Sequence, residues 1–187
     1  AAIAHPATQK VIFVGSPGTG RRVAVAAAEA LTPCVLELGG KSANIVFDDA
    51  DLKAACLGAQ AAIFSGAGQS CVAGSRLLVQ DGIRPDLTEM LTTGMNAIKL
   101  GDPLDEATEI GPVGNAGQLA HIRRVLDGAQ HDGADLMTRD SLPDRGFFVA
   151  PTVLTGLGNR SLPAMTEIFG PVVTTIPFVD EEEAVSL

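Results

Sequence analysis

The sequence predicts an α/β fold in which a mostly parallel sheet is flanked by helices. Three observations carry that reading. Short β-branched runs alternate along the chain with alanine-rich or amphipathic segments, the pattern of parallel strands joined by crossover helices. Near the start, a strand, a glycine-rich turn, a helix and a second strand follow one another as a βαβ unit, whose crossover is expected to be right-handed. No run of about 18 apolar residues is present to favour a membrane span. The longest candidate, Val23 to Leu38, is interrupted by Glu29, Thr32, Pro33 and Glu37.

Lys10 to Val14, closed by Gly15, reads as a buried strand. Gly18 to Ala30 reads as a helix because Val23 to Ala30 is dominated by good helix formers. Pro33 ends the connection, and Cys34 to Leu38 is a second strand closed by Gly39-Gly40. Ala43 to Phe47 is the next strand, after which Asp48-Asp49-Ala50-Asp51 offers N-caps for an alanine-rich helix from about Leu52 to Phe64. A strand-like run covers Ser75 to Gln80. Asp86 to Ile98 has Leu87, Met90, Leu91 and Met95 at helical spacing, so these four are expected in the core. Gly101-Asp102-Pro103-Leu104 is a turn. Gln118 to Gln130 reads as a helix with Ile122, Val125 and Leu126 inward and Arg123 and Arg124 outward. Ala134 to Met137 is a short strand, Phe147 to Leu154 is extended around Pro151, and Val172 to Val179 is a strand. The acidic run from Asp180 starts a last helix. There is neither an internal repeat nor a low-complexity linker.

The charge balance bounds the partners. Acidic residues outnumber basic ones 22 to 13, and Lys and Arg cluster only as the pairs Arg21-Arg22 and Arg123-Arg124. Nucleic-acid binding needs a concentrated positive face, so nucleic acid is not an expected partner. The absence of Trp and Tyr removes the usual base-stacking platforms as well. Three cysteines without regular spacing argue against a disulfide framework. Three histidines, none paired at i, i+3 or i, i+4, argue against a zinc site. Cys34 and Cys56 read as small core hydrophobes. The first residues carry no charged leader region, which points to a reducing, cytoplasmic compartment. The chain starts without Met and stops inside a helical run, so both ends are expected to be cut from something longer.

Three stretches carry possible chemistry. Gly15-Ser16-Pro17-Gly18-Thr19-Gly20-Arg21-Arg22 nearly matches the phosphate loop G-x-x-x-x-G-K-[ST], but arginines replace its lysine and its magnesium-binding hydroxyl. The two groups that act on a nucleoside triphosphate are therefore absent. The loop still places small residues and a helix N-terminus after a strand, a geometry that suits a pyrophosphate as well as a plain turn. Glu37 sits at the end of an apolar strand beside Gly39-Gly40, either solvated or exchanging protons. Cys71 lies in the small-residue loop Gly66-Ala67-Gly68-Gln69-Ser70-Cys71, which leaves a thiol accessible. A thiol titrates near ~8.5 and needs help to react at neutral pH, so Cys71 reads as a nucleophile or as a core thiol.

Taken together, these stretches resemble the aldehyde dehydrogenase family. Glu37-Leu38-Gly39-Gly40-Lys41-Ser42 and Gly68-Gln69-Ser70-Cys71-Val72-Ala73-Gly74-Ser75-Arg76 look like its two signature motifs, at its usual spacing. Glu167-Ile168-Phe169-Gly170-Pro171-Val172 is similar to its third marker, and Phe13-Val14-Gly15-Ser16 followed by Gly20 resembles its pyrophosphate loop. Lesser matches are Gly101-Asp102-Pro103, Gly111-Pro112 with Gln118, and Gly146-Phe147-Phe148 leading to Pro151-Thr152-Val153.

The resemblance implies that residues 1–39 end a dinucleotide-binding domain and residues 40–187 belong to a catalytic domain. It implies Cys71 as the nucleophile, with its backbone N–H in the oxyanion hole, and Glu37 as the general base on the hydrolytic water. It implies NAD or NADP held by Gly15, Ser16, Gly20, Leu38, Gln118, Glu167 and Phe169: Ser16 at the pyrophosphate, Glu167 at the nicotinamide ribose, Phe169 along the ring, Leu38 through its backbone, and Gln118 on the adenosine side. It further implies a small aldehyde substrate and a homo-oligomeric full-length protein. Gly66 departs from the family, which frequently has Asn five residues before the nucleophile, and only loop packing is expected to change. The family is also much longer than this chain, so the 187 residues alone are expected to have little or no dehydrogenase activity. Two other readings stay open: an acyl transfer to coenzyme A, which Glu37 argues against, and a non-catalytic scaffold.

Overall fold

The computed structural model of the chain describes residues 2–139 and 141–187. It divides into two compact units, one ending at Gly40 and one starting at Lys41.

The first unit is the expected βαβ. Strand β1 (Val11–Gly15) and strand β2 (Cys34–Leu38) pair in parallel, with Val11 opposite Cys34 and Gly15 opposite Leu38. Helix α1 (Pro17–Glu29) joins them. It starts one residue earlier than the sequence suggests because proline suits the first helical position, where its missing N–H costs nothing. The preceding Ser16 caps the helix, its Oγ accepting from Thr19 N at 3.4 Å. The helix stops where Leu31 turns left-handed (φ 52°) before Pro33. β1 is not the buried strand that its apolar run suggests. Its side chains alternate, and Ile12 and Val14 are 66% and 69% exposed, because a two-stranded sheet receives one helix on one face. Cys34 on β2 is likewise only half buried, whereas Cys56 is a core residue as expected.

The second unit holds a five-stranded sheet in the order β3-β4-β7-β6-β5. Its strands are β3 (Ala43–Val46), β4 (Arg76–Gln80), β5 (Asp135–Thr138), β6 (Thr152–Thr155) and β7 (Val172–Phe178). All neighbours are parallel except the edge pair β5 and β6. The central strands β4 and β7 are buried on both faces, the rule for a parallel sheet covered by helices. On one face, Leu77, Val79, Val153 and Val173 meet helices α2 (Leu52–Phe64), α3 (Arg84–Ala97) and α4 (Ala116–His131) through Ile63, Leu87, Leu91, Met95, Ile122 and Val125. On the other, Leu78, Ile176 and Phe178 pack with Ala164 of α5 (Leu162–Met165) and Ala184 of α6 (Glu181–Ser186).

Local chemistry sets the element ends. Asp51 Oδ1 accepts from Lys53 N and Ala54 N at 3.0 and 3.1 Å and starts α2 where the acidic run predicts. Asp180 does the same for α6 through Glu183 N at 2.9 Å. Phe147 to Leu154 is a strand only from Thr152, because Pro151 has no N–H to give, and Thr152 N is the first to pair, with Pro171 O at 2.9 Å. The one-turn helix α5, opened by Ser161 and Pro163, has no periodic signal in so short a segment.

Candidate active site

In the second unit the site is built on the exit of α2. After Phe64 the chain enters a tight turn, Ser65–Gly68, in which Gly66 (φ 58°), Ala67 (φ 57°) and Gly68 (φ 68°) are all left-handed. Glycine adopts this conformation freely, whereas the buried Ala67 carries a cost of roughly 1–2 kcal/mol. The reversal throws Ser70, Cys71 and Val72 out to the surface. The loop is then tied down on the far side. Gly74 N donates to Ala62 O at 3.1 Å, and Ser75 N to Ala73 O at 2.7 Å, before β4 begins at Arg76. Gln69 Oε1 accepts from Gly114 N at 2.9 Å and so pins the residue two before the cysteine to the α4 approach. An exposed thiol on a fixed backbone is what a nucleophile needs, and Cys71 is the only exposed cysteine among the described residues.

The third motif lies directly against this loop. A Cβ added at Gly68 would collide with the carbonyl of Gly170 and with Pro171 N, so the two backbones touch only because residue 68 has no side chain. Glu167 is half buried, Ile168 is fully buried, and Phe169 is left-handed at φ 53°. Helix α4 reaches this segment from one face. Its N-cap Asn115 accepts from Gln118 N at 2.9 Å, which orients the first turn. Gln118 Nε2 then donates to the carbonyls of Ile168 (2.8 Å) and Phe169 (3.0 Å). His121 Nε2 lies 3.1 Å from the carbonyl of Glu167. Both amide hydrogens of Gln118 are thus engaged with the backbone, and only its Oε1 remains for any direct cofactor contact.

Lys41 is a buried cation near this segment to which the sequence assigns no role. It lies in the Glu37–Ser42 stretch, yet only its place between Gly39-Gly40 and β3, a lone cation before an apolar strand, marks it. Its Nζ is buried without a hydrogen-bond partner. Desolvation and the neighbouring Arg76 guanidinium lower its pKa from 10.5 to about 8, while the Glu167 carboxylate pulls the other way. Below about pH 8 both folded and unfolded states bind the proton, and the fold carries the full cost of the buried cation. Between 8 and 10.5 the unfolded state binds more protons, so stability rises with pH. Lys41→Met is therefore expected to stabilise the second unit at pH 7 by about 3 kcal/mol, a gain that fades by about pH 10.5. Denaturant unfolding at a series of pH values checks this, and a gain independent of pH contradicts it.

In the first unit Gly15, Ser16, Gly20, Glu37 and Leu38 also converge. Gly15 pairs with Leu38 and Val14 with Glu37 across the two strands, and Glu37 is exposed. Gly20 is buried with the Leu38 side chain against it: an added Cβ would stand 2.7 Å from Leu38 Cδ2. Its small size thus serves the packing of α1 on β2. The first turn of α1 has no acidic residue, and Arg21 and Arg22 stand exposed beside it, so the turn suits an anion. Among the described residues no three His, Cys, Asp or Glu side chains gather into a metal-binding group, and no helix is long and apolar enough to cross a membrane.

The model of the aldehyde dehydrogenase family matches residues 1–187. The chain belongs to the aldehyde dehydrogenase family. Its relatives include the betaine aldehyde dehydrogenase of Rhizobium etli (strain CIAT 652), 41% identical over 186 residues that cover 97% of this chain and 38% of the relative. A solved structure of a single-residue variant of aldehyde dehydrogenase from Bacillus cereus superposes with a TM-score of 0.94 at 35% identity, covering 98% of this chain and 38% of that one. The betaine aldehyde dehydrogenase of Staphylococcus aureus in complex with NAD+ gives a TM-score of 0.90 at 39% identity, covering 95% of this chain and 36% of that one. The chain therefore spans about 38% of the length of the curated relatives it matches. The α/β architecture expected from the sequence is that of aldehyde dehydrogenase structures.

Proposed function

We propose that the full-length protein oxidises an aldehyde to a carboxylic acid with NAD or NADP, and that Cys71 carries the acyl group. The observation that bears the proposal is the exposed Cys71 thiol on a backbone braced against the Glu167–Pro171 segment, in a chain of this family. NAD(P)+, when bound, supplies the acceptor for the aldehyde hydrogen and its electron pair. The pyrophosphate is assigned to Ser16 and the α1 N-terminus, with Gly15 and Gly20 beside it. The nicotinamide half is assigned to Glu167, Phe169 and the Leu38 backbone.

The chain's own residues perform the rest. Cys71 Sγ adds to the carbonyl carbon, giving a thiohemiacetal whose oxygen takes a hydrogen bond from the Cys71 backbone N–H. Loss of the aldehyde hydrogen with its electron pair leaves a thioester on Sγ. Glu37 takes a proton from water, which adds to the thioester carbon and expels the Cys71 thiolate, so that the product is the acid. The proposal extends to a homo-oligomeric full-length protein, as the family resemblance implies, in a cytoplasmic compartment and without nucleic-acid or membrane partners, as the sequence suggests.

The test is NADH or NADPH formation by the full-length protein across an aldehyde panel that includes betaine aldehyde, with and without coenzyme A. Acid and reduced cofactor without coenzyme A are expected. Acyl-coenzyme A as the sole product, or no reduced cofactor from any aldehyde, overturns the reading. Glu37→Gln is expected to slow deacylation by on the order of 10²–10⁴-fold while a first-turnover burst of reduced cofactor survives. Stopped-flow absorbance reads both phases, and an unchanged steady-state rate removes Glu37 from the role. The 187 residues alone are expected to give no more than trace turnover, since the relatives' remaining length is absent from the assay.

A further inference from the structure

Three consecutive backbone carbonyls, those of Glu167, Ile168 and Phe169, are each met by a side chain of helix α4. The segment belongs to neither a strand nor a helix, and Phe169 holds a left-handed conformation inside it. Two of the flanking contacts are steric. Gly170 packs so tightly on Ile122 that a Cβ would stand 2.5 Å from Ile122 Cδ1, and Gly68 abuts the Gly170 carbonyl from the other side. Gln118, His121 and Ile122 share one face of α4, at i, i+3 and i+4. This face does for the segment what a neighbouring strand would do in a sheet. A carbonyl only accepts, so His121 Nε2 must carry a hydrogen, and Gln118 uses both of its own. Neither side chain can make these bonds and also donate from the same atoms to a cofactor.

We propose that Gln118 and His121 are positioning residues that hold the Glu167–Phe169 backbone so that the Glu167 carboxylate and the Phe169 ring face bound NAD(P) in one orientation. The inference rests on Glu167 being a cofactor ligand, and it moves Gln118 from a direct adenosine-side contact to a support of the nicotinamide side.

The test is a double-mutant cycle on the full-length protein, with NAD+ or NADP+ affinity read by fluorescence or calorimetry and kcat and KM read in turnover. Gln118→Leu keeps the volume and removes both donors, and is expected to raise the cofactor KM about tenfold, as expected for losing two ordinary hydrogen bonds. His121→Leu is expected to act in the same direction, with His121→Gln restoring much of the loss because it returns a donor. Glu167→Ala tests the underlying assignment separately. If Glu167→Ala weakens the cofactor and Gln118→Leu costs clearly less in the double variant than alone, Gln118 acts through the segment and the proposal stands. If the two losses add in full, Gln118 touches the cofactor directly and the proposal falls, while Glu167 keeps its role. If Gln118→Leu and His121→Leu both leave cofactor affinity unchanged, the proposal also falls. If Glu167→Ala leaves the affinity unchanged, the assignment of Glu167 itself is overturned, and the positioning role with it.

Discussion

Cys71→Ser is expected to lower turnover of the full-length protein by at least about 10³-fold while leaving its stability within about 0.5 kcal/mol of the parent. The two halves of that expectation have separate physical causes. A serine hydroxyl is ionised far less readily than a thiol near neutral pH, and nothing in the loop replaces the lost nucleophilicity, because the neighbours are small or apolar: Gly68, Ser70, Val72, Ala73 and Gly74. Stability is spared because residue 71 is exposed and the change replaces a single atom, sulfur by oxygen. The comparison thiols are built in. Cys34 is half buried on β2 and Cys56 is buried in α2, so an alkylating reagent applied to the folded protein is expected to label Cys71 first. Turnover within tenfold of the parent, or labelling of Cys34 ahead of Cys71, contradicts the assignment.

Gly68→Ala is expected to be the most damaging single-methyl change in the second unit. The position is left-handed at φ 68°, which costs any other residue roughly 1–2 kcal/mol. The added Cβ then meets the Gly170 carbonyl and Pro171 N, which are backbone atoms that cannot rotate away. Retreat is blocked on the far side, since Gly170 is itself pressed on Ile122, Gln118 holds the preceding two carbonyls, and Thr152 N is bonded to Pro171 O. The expected loss is about 3 kcal/mol or more in stability, with displacement of both motif loops and on the order of 100-fold in kcat/KM. Gly66→Ala is the control. It has a similar φ of 58° but open space around an added Cβ, so only the backbone cost of roughly 1–2 kcal/mol is expected. Thermal unfolding and kinetics of the two variants side by side decide the matter, and equal losses contradict the close-approach argument.

The elements that punctuation defines were legible in the sequence. β2 and α2 occupy the residues expected of them, because Pro33 and Gly39-Gly40 bracket the first and the Asp51 cap starts the second. What could not be read is what depends on how elements meet. The four-residue α5 is too short for a helical period. β1 shows one open face because residue types tell apolar from polar but not how many layers cover a strand. At the site, the exposed loop around Cys71 follows from its small residues, but the left-handed Ala67 and Phe169 follow from tertiary contacts that no local preference announces. The same holds for Lys41, whose burial beside Arg76 is set by the parallel register that places Ala43 opposite Arg76. Gln118 was recognisable as a site residue, yet its amide donors are engaged with a loop some 50 residues away. His121 shows how that partner could have been sought, since it repeats Gln118 one turn later on the same helical face.

If the acyl group passes through Cys71, it can be caught there. The direct measurement is peptide mass mapping of the full-length Glu37→Gln variant, quenched after incubation with an aldehyde substrate and NAD+. The expected result is a mass increase equal to one acyl group on the peptide containing Cys71, lost on treatment with hydroxylamine and absent without NAD+. Reduced cofactor formed with no adduct on Cys71, or with the adduct on another residue, contradicts it.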